Sequence, residues 1–251
     1  MYNDIISIGP VTIHGYGMMI GIGVLAAIST ALYRSKKKDI DPDNVIDITL
    51  TSLIFGFLGA KLLFCILSFE EFIQNPLKTL LSGNGFVVFG GIIGGLIAAY
   101  VYCRIKKVNF LKIVDFMLPE IAIAQGFGRI GCLLAGCCYG KATDSHMGIV
   151  FHTSNYAPNG ISLIPTQIIF SICAFALAVF LILYSKYSKT DGEIGSLYLI
   201  LYSAGRFVLE YLRGDYRGTI FNIFSTSQFI GIFTFILGIV LFIICRRKRS
   251  S

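Results

Sequence analysis

Long apolar runs interrupted by short clusters of charge set the pattern of this chain. A membrane-spanning helix needs about 20 mostly apolar residues. Seven stretches qualify, at roughly 16–33, 45–69, 85–102, 110–130, 163–184, 194–212 and 220–245. They lack the strict alternation over segments of about 10 residues that marks a transmembrane barrel, so the pattern predicts helices. The connections are short except at about 70–84 and 141–162. The second is polar and turn-rich, with Pro158-Asn159-Gly160, and loops of such length without evident structure are often functional. No internal repeat is visible, which counts against the inverted-repeat transporters. The expectation is an all-α polytopic membrane protein: one membrane domain, 1–251, with seven transmembrane helices and two long external loops.

Composition agrees. The chain is 55% hydrophobic and 14% charged, with a mean hydropathy of +0.75, whereas a soluble domain carries about 25% charged residues. Six prolines exclude a collagen-like or disordered chain, and the absence of Trp leaves Tyr and Phe to supply interfacial aromatics. A net charge of +7 on a soluble protein would raise nucleic acid as a partner. Here the placement of charge argues otherwise. Arg34, Lys36, Lys37 and Lys38 follow the first span; Arg104, Lys106, Lys107 and Lys112 follow the third; Lys186 and Lys189 follow the fifth; Arg246, Arg247, Lys248 and Arg249 follow the last. These fourteen of the 21 basic residues fall on one side, against Lys78, Lys141, Arg213 and Arg217 on the other. The positive-inside rule makes the fourteen cytoplasmic, which predicts the N-terminus outside, the C-terminus inside and no nucleic-acid partner. The start, Met1 to Pro10, lacks the basic region and cleavage site of a signal peptide.

Two charges stand where a membrane should exclude them. A central Arg costs about 2.5–3.5 kcal/mol on insertion scales, so Arg129 and Arg206 must face a cavity or a partner. Arg206, Glu210 and Arg213 recur at helical spacing on one face. One reading is an Arg206–Glu210 ion pair that fixes packing; the other is an anion site, since guanidinium grips phosphate with a planar fork. Arg129 lies in Gln125-Gly126-Phe127-Gly128-Arg129-Ile130-Gly131-Cys132, with further glycines at 136 and 140. Interior glycine costs about 1 kcal/mol against alanine, so this density predicts either close helix packing or an unwound, pocket-lining segment. A second glycine run spans 85–95 and includes Gly90 and Gly91. Tyr16 stands at the outer end of the first span, where an aromatic belt residue is the ordinary role.

Of seven cysteines, Cys65, Cys103, Cys173 and Cys245 lie singly in apolar runs, which is not a disulfide framework. Cys132, Cys137 and Cys138 cluster. Three readings stand for them: small apolar packing groups, a redox pair, or metal-binding or reactive thiols. No Cys-x-x-Cys pair with a zinc-spaced His is present, although His146 and His152 follow.

Taken together the motifs resemble the prolipoprotein diacylglyceryl transferase family, in order and over most of the chain. His14-Gly15-Tyr16-Gly17 resembles its first-helix Tyr-Gly motif, Gly59-Ala60-Lys61-Leu62 its Gly-Ala-Arg-Leu, and Phe89-Gly90-Gly91-Ile92-Ile93-Gly94 its His/Tyr-Gly-Gly-Leu-Ile-Gly. Residues 125–140 resemble the signature Gln-x-x-Gly-Arg-x-Gly-Asn-x-x-Asn-x-Glu-x-x-Gly. Pro165-Thr166-Gln167 resembles the core of His-Pro-Thr-Gln, Arg206-Phe207-x-x-Glu210-x-x-Arg213 the late Arg-Phe-x-x-Glu-x-x-Arg, and Ser227-Gln228 the last-helix element. The resemblance implies transfer of diacylglyceryl from phosphatidylglycerol to the thiol of a lipobox cysteine on a secreted preprolipoprotein. Glycerol phosphate is released in the bacterial cytoplasmic membrane, and no metal or cofactor is required. It assigns catalysis to Arg129, Arg206, Tyr16 and Glu210. Substrate binding falls to Gly90, Gly91, Gln125, Gly128, Gly131, Cys132, Cys137, Gly140, Gln167 and Arg213. The chain departs from the pattern where Cys132, Ala135 and Cys137 replace Asn, Asn and Glu, where Phe89 replaces His or Tyr, and where Ile164 and Phe170 replace the His and the trailing Glu of the His-Pro-Thr-Gln motif. It therefore reads as a cysteine-bearing branch. A non-catalytic or redox-active lipid-binding protein, or transfer to another acceptor, is the alternative.

Overall fold

The computed structural model describes residues 4–8, 11–38, 40–82, 85–215, 219–220 and 224–250; Arg217 of the external loops lies outside them. Helices dominate: α1 (Gly15–Lys38), α2 (Pro42–Leu67), the short α3 (Phe69–Gln74) and α4 (Pro76–Leu81), then α5 (Val88–Lys106), α6 (Phe110–Ala135), α7 (Thr166–Tyr184), α8 (Glu193–Glu210) and α9 (Thr226–Ser250). Among the described residues, five of them, α1, α2, α5, α7 and α9, are long and apolar enough to cross a membrane. The chain is thus an all-helical polytopic membrane protein in outline. The two other long helices carry the charges, Asp115, Glu120 and Arg129 in α6 and Glu193, Arg206 and Glu210 in α8.

Boundaries follow local chemistry. α2 begins before its apolar run because Pro42 sits at its first turn and Asp41 accepts a hydrogen bond from the Asp43 amide at 3.0 Å. The polar start is a hairpin of β1 (Asp4–Ile8) and β2 (Val11–His14). The segment 70–84, expected as loop, carries α3 and α4. The last helix starts at Thr226 because residues 219–220 and 224–225 pair as the strands β5 and β6.

By their contacts the residues fall into two compact units, Ala31–Ile113 and the remainder, Met1–Thr30 with Val114–Ser251. In the first, α2 and α5 press backbone against backbone. A Cβ at Gly59 would lie 2.5 Å from the Gly90 carbonyl oxygen, and one at Gly91 would lie 3.3 Å from that of Gly56. Small residues spaced this way let membrane helices approach closely. Lys61 donates to the carbonyl and hydroxyl of Ser82, both at 2.9 Å, so its charge ends on polar atoms.

The second unit packs α6, α7 and α8 around Ala122, Ala178, Leu181, Ile194 and Tyr198. Asp115 accepts from the amides of Gly192 and Gly195, both at 2.7 Å, and so caps α8 from a neighbouring helix. The segment 141–162 is not an open loop. Strands β3 (Ile149–Val150) and β4 (Ser162–Leu163) pair antiparallel, and Phe151, Ala157 and Leu163 are buried with Leu133 and Tyr139 against them. Ser154 and Asn159 clamp its turn: the Ser154 amide donates to the Asn159 side chain at 2.9 Å, which donates back to the Ser154 carbonyl at 3.1 Å.

Candidate active site

α6 runs unbroken through Gly126, Gly128 and Gly131, so of the two readings of this glycine run close packing holds and unwinding does not. Two of these glycines are filled by neighbours. A Cβ at Gly126 would meet the Phe175 ring at 2.6 Å, and one at Gly131 would meet Tyr16 Cδ2 at 3.1 Å. Packing here outweighs the helix propensity of about 1 kcal/mol per glycine. Gly128 faces open space. The helix ends at Gly136, whose φ of 72° is left-handed. The Cys137 amide bonds the Cys132 carbonyl at 3.1 Å and the Gly136 amide bonds that of Leu133 at 3.1 Å. This is a Schellman cap, and it folds Cys137 back over Cys132. Cys138 also takes a left-handed φ, 58°, rare for a residue with a side chain.

The start of α7 holds this turn from the other side. Thr166 Oγ1 donates to the Cys138 carbonyl and Gln167 Nε2 to the Cys137 carbonyl, both at 2.8 Å. Gly140 lies so close to the Ile164 carbonyl that no side chain would fit. It also pairs as a bridge with Arg213: the Lys141 amide bonds the Leu212 carbonyl at 2.9 Å and the Gly214 amide that of Tyr139 at 3.0 Å. Arg213 is thereby set beside Cys138.

Three arginines converge on one ring. The guanidinium carbons of Arg129, Arg206 and Arg213 lie 4.9, 5.2 and 6.0 Å from the centroid of Phe170, itself buried in the first turns of α7. A ring face attracts cations by about 0.5–2 kcal/mol each, more when water is excluded. Phe170 thus gathers charge where the resembled motif has a carboxylate. Glu210 forms an ion pair with Arg206 Nη1 at 2.9 Å and lies 3.9 Å from Arg213 Nε. Asp215 accepts from Arg213 Nε at 2.9 Å and Nη2 at 2.6 Å, a bidentate fork. Burial is the largest influence on the Arg213 charge and works against it, but the hydrogen bonds to Asp215 and Cys138, with the charges of those groups, together outweigh it and raise the pKa. Arg206 Nη2 donates to Ser227 Oγ at 3.0 Å.

Donors remain unfilled. Arg206 Nη1, despite its ion pair, and Arg213 Nη1 are buried and have no hydrogen-bond acceptor among the described residues. Such groups cost about 1–3 kcal/mol each unless a ligand or water meets them. No carboxylate among the described residues pairs with Arg129. Such an arrangement can accept an anion with several oxygens.

The structure therefore brings together Arg129, Arg206, Glu210, Arg213, Cys132, Cys137, Gly140 and Gln167. Tyr16 packs on Gly131 and stands near Arg129 and the cysteine group. Gln125 lies about a turn below Arg129 and donates to the Tyr198 hydroxyl at 2.8 Å. Gly90 and Gly91 belong to the other unit, where they pack against α2. Phe170, Ser227, Asp215 and Thr166 are the partners that sequence reasoning did not assign to the site. The signal for Phe170 was an apolar residue standing where a carboxylate was expected between two arginine motifs.

Comparison with known proteins gives a consistent picture. A family model described as prolipoprotein diacylglyceryl transferase matches residues 3–244. A Clostridium tetani protein named phosphatidylglycerol–prolipoprotein diacylglyceryl transferase is 48% identical over 240 residues, covering 95% of both chains. A second such protein, from Clostridium perfringens, is 44% identical over 237 residues, 94% of this chain and 92% of the relative. One from Dehalococcoides mccartyi is 34% identical over 98% of this chain and 94% of its own.

Proposed function

The chain belongs to the prolipoprotein diacylglyceryl transferase family, and from that premise we propose that it transfers the diacylglyceryl group of phosphatidylglycerol to a prolipoprotein. The observation that carries this reading is the trio of guanidiniums on Phe170 with buried donors left open on Arg206 and Arg213. Displacement at a glyceryl carbon builds negative charge on the departing phosphate, and fixed donors aimed at such developing charge commonly contribute more to catalysis than any other effect. In this reading Arg129 and Arg206 hold the phosphate, Glu210 orients Arg206, and Arg213 completes the anion site. Tyr16 borders the arginine and cysteine group through its packing on Gly131. Gln125, Gly128, Gly131, Gly140 and Gln167 shape the lipid and turn contacts, while Gly90 and Gly91 act through the packing of α5 on α2. The acceptor is the thiol of a lipobox cysteine on a secreted preprolipoprotein, and glycerol phosphate leaves.

The same reading sets the chain in the bacterial cytoplasmic membrane as one membrane domain with seven spans, α6 and α8 crossing as well as the five apolar helices. The N-terminus lies outside and the C-terminus inside. The support is the fourteen-to-four asymmetry of basic residues. A reporter that is active only in the cytoplasm should work when fused after Ser251; activity of an export-dependent reporter there would overturn the orientation. Function is tested by complementing a transferase-depleted strain and measuring the lipid-modified cysteine by mass spectrometry. Growth without modified lipoprotein, or no growth from a stably expressed chain, would defeat the reading.

A further inference from the structure

Cys132, Cys137 and Cys138 bring three sulfurs within 4.8 Å of one another. No disulfide joins them. Their approach is imposed by the backbone: the Schellman cap at Gly136 ties Cys137 to Cys132, and the left-handed φ of Cys138 turns the next side chain into the same space. Gln167 and Thr166 pin the carbonyls of Cys137 and Cys138. Left-handed backbone at a side-chain-bearing residue is the kind of strain that persists where the surroundings hold it for a purpose.

We propose that these three thiolates bind one zinc ion and leave its fourth position open. With Zn–S at about 2.3 Å and tetrahedral angles, sulfur pairs stand about 3.8 Å apart, so side-chain rotations of about an ångström close the site. Thiolate ligands select soft or borderline ions, and zinc brings no redox demand. Three thiolates on a divalent ion leave one excess negative charge. Arg213, beside Cys138, offsets it without supplying a ligand. Cys132 is 8% exposed while Cys137 and Cys138 are half-buried, so the open position faces outward from the turn. Neither His146 nor His152 joins the group among the described residues, which leaves that position for an external ligand.

A catalytic zinc with three protein ligands takes water or substrate in its fourth place, and a coordinated thiol is deprotonated outright. Resting on the transferase reading above, the external ligand is the acceptor thiol. Bound as thiolate, it gives up its proton to solvent water. Its sulfur lone pair then attacks the glyceryl carbon, forming C–S as the C–O bond to phosphate breaks. The electron pair of that bond leaves on the phosphate oxygen, which the arginines stabilise and which takes up a proton or carries the charge. The thioether is a poor zinc ligand and departs. This assigns a role to the thiols that replace the polar residues of the resembled signature, and it departs from the expectation of a metal-free site.

The test uses the full chain purified in detergent. Elemental analysis should find one zinc per chain in the parent and in the remote control Cys173→Ser, and a loss in C132S, C137S and C138S. Cobalt substituted for zinc should show a thiolate charge-transfer band that a lipobox peptide shifts and its Cys→Ser counterpart does not. A parent that neither holds zinc nor takes up cobalt, or that shows a disulfide within the trio on peptide mapping, overturns the site. Full transfer by protein stripped with a chelator, or no spectral shift with the cysteine peptide, overturns thiol delivery. Metal binding and a peptide-dependent shift in a chain that fails complementation would instead defeat the transferase reading and leave the zinc site standing.

Discussion

Replacing Arg206 by lysine keeps the charge and removes the fork, which separates an anion-binding arginine from one that only pins two helices. Arg206 acts in three directions at once: Nη1 to Glu210 at 2.9 Å, Nη2 to Ser227 at 3.0 Å, and the guanidinium plane over Phe170 at 5.2 Å. A single ammonium can retain the Glu210 attraction but cannot also reach Ser227 and lie on the ring. Losing one charge-assisted hydrogen bond removes about 1.5–3 kcal/mol, and losing the stacking removes about 1 kcal/mol more. If those contacts aim the guanidinium at the departing phosphate, transition-state stabilisation falls by about 3 kcal/mol, or roughly 100-fold in kcat/KM. The assay is transfer from phosphatidylglycerol in mixed micelles, with thermal unfolding in parallel. Arg206→Met is the comparison, because it strands Glu210 as a buried charge and should cost about 3–5 kcal/mol of stability. Lysine should therefore spare the fold and damage the rate. An Arg206→Lys chain that transfers within a few-fold of the parent would reduce Arg206–Glu210 to a packing pair and rule out the guanidinium as a phosphate donor.

Phe170→Leu keeps an apolar side chain at under about 1.5 kcal/mol of stability but removes the ring face beneath three guanidiniums; KM for phosphatidylglycerol should rise about 10-fold, and Phe170→Tyr should restore it. Gly140→Ala places a Cβ 2.7 Å from Ile164 Cβ, so it should destabilise the chain by about 1–3 kcal/mol in a thermal melt. Gly128→Ala meets open space and should leave the melt unchanged or raise it, by up to about 1 kcal/mol. In the other unit, Gly90→Ala drives a Cβ into the Gly59 carbonyl and to 2.6 Å from Leu63 Cβ. It should lower thermal stability by about 1–3 kcal/mol, whereas unchanged melting would remove the case for close α2–α5 packing.

The helices were legible because each apolar run is long and continuous, a signal that does not depend on knowing its neighbours. What stayed hidden depends on contacts between residues far apart in the chain. The segment 141–162 reads as polar and turn-rich, yet Phe151, Ala157 and Leu163 are enough to give it a buried centre against Leu133 and Tyr139. The glycines of α6 read either as close packing or as a break; Phe175 and Tyr16 fill the gaps at Gly126 and Gly131, and only Gly136 turns the chain. A spacing of three on a continuous helix puts Cys132 on the face of Arg129. Spacing could not place Cys137 and Cys138, since their positions follow from a left-handed cap and not from helical periodicity.

The charged residues were the most informative and also the most incomplete part of the reading. An intramembrane arginine must be answered by something, and that demand alone points to Arg129 and Arg206. The answers divide into two kinds. Glu210, Asp215 and Ser227 fix the guanidiniums, as a structural network would. Phe170 does something a carboxylate in its place would not: it draws three cations together while neutralising none of them. A third carboxylate there would lower the positive field and compete with an incoming anion. With the ring instead, two carboxylates, Glu210 and Asp215, face three guanidiniums, one positive charge in excess of what a carboxylate at 170 would leave, in a site largely closed to water. Screening is weak in such surroundings, so that excess is felt strongly by a phosphodiester carrying a single negative charge, and more strongly by the doubly charged phosphate that leaves. The substitution that looks like a loss in the motif therefore favours the charge of the product over that of the substrate, which is the direction in which an active site gains rate.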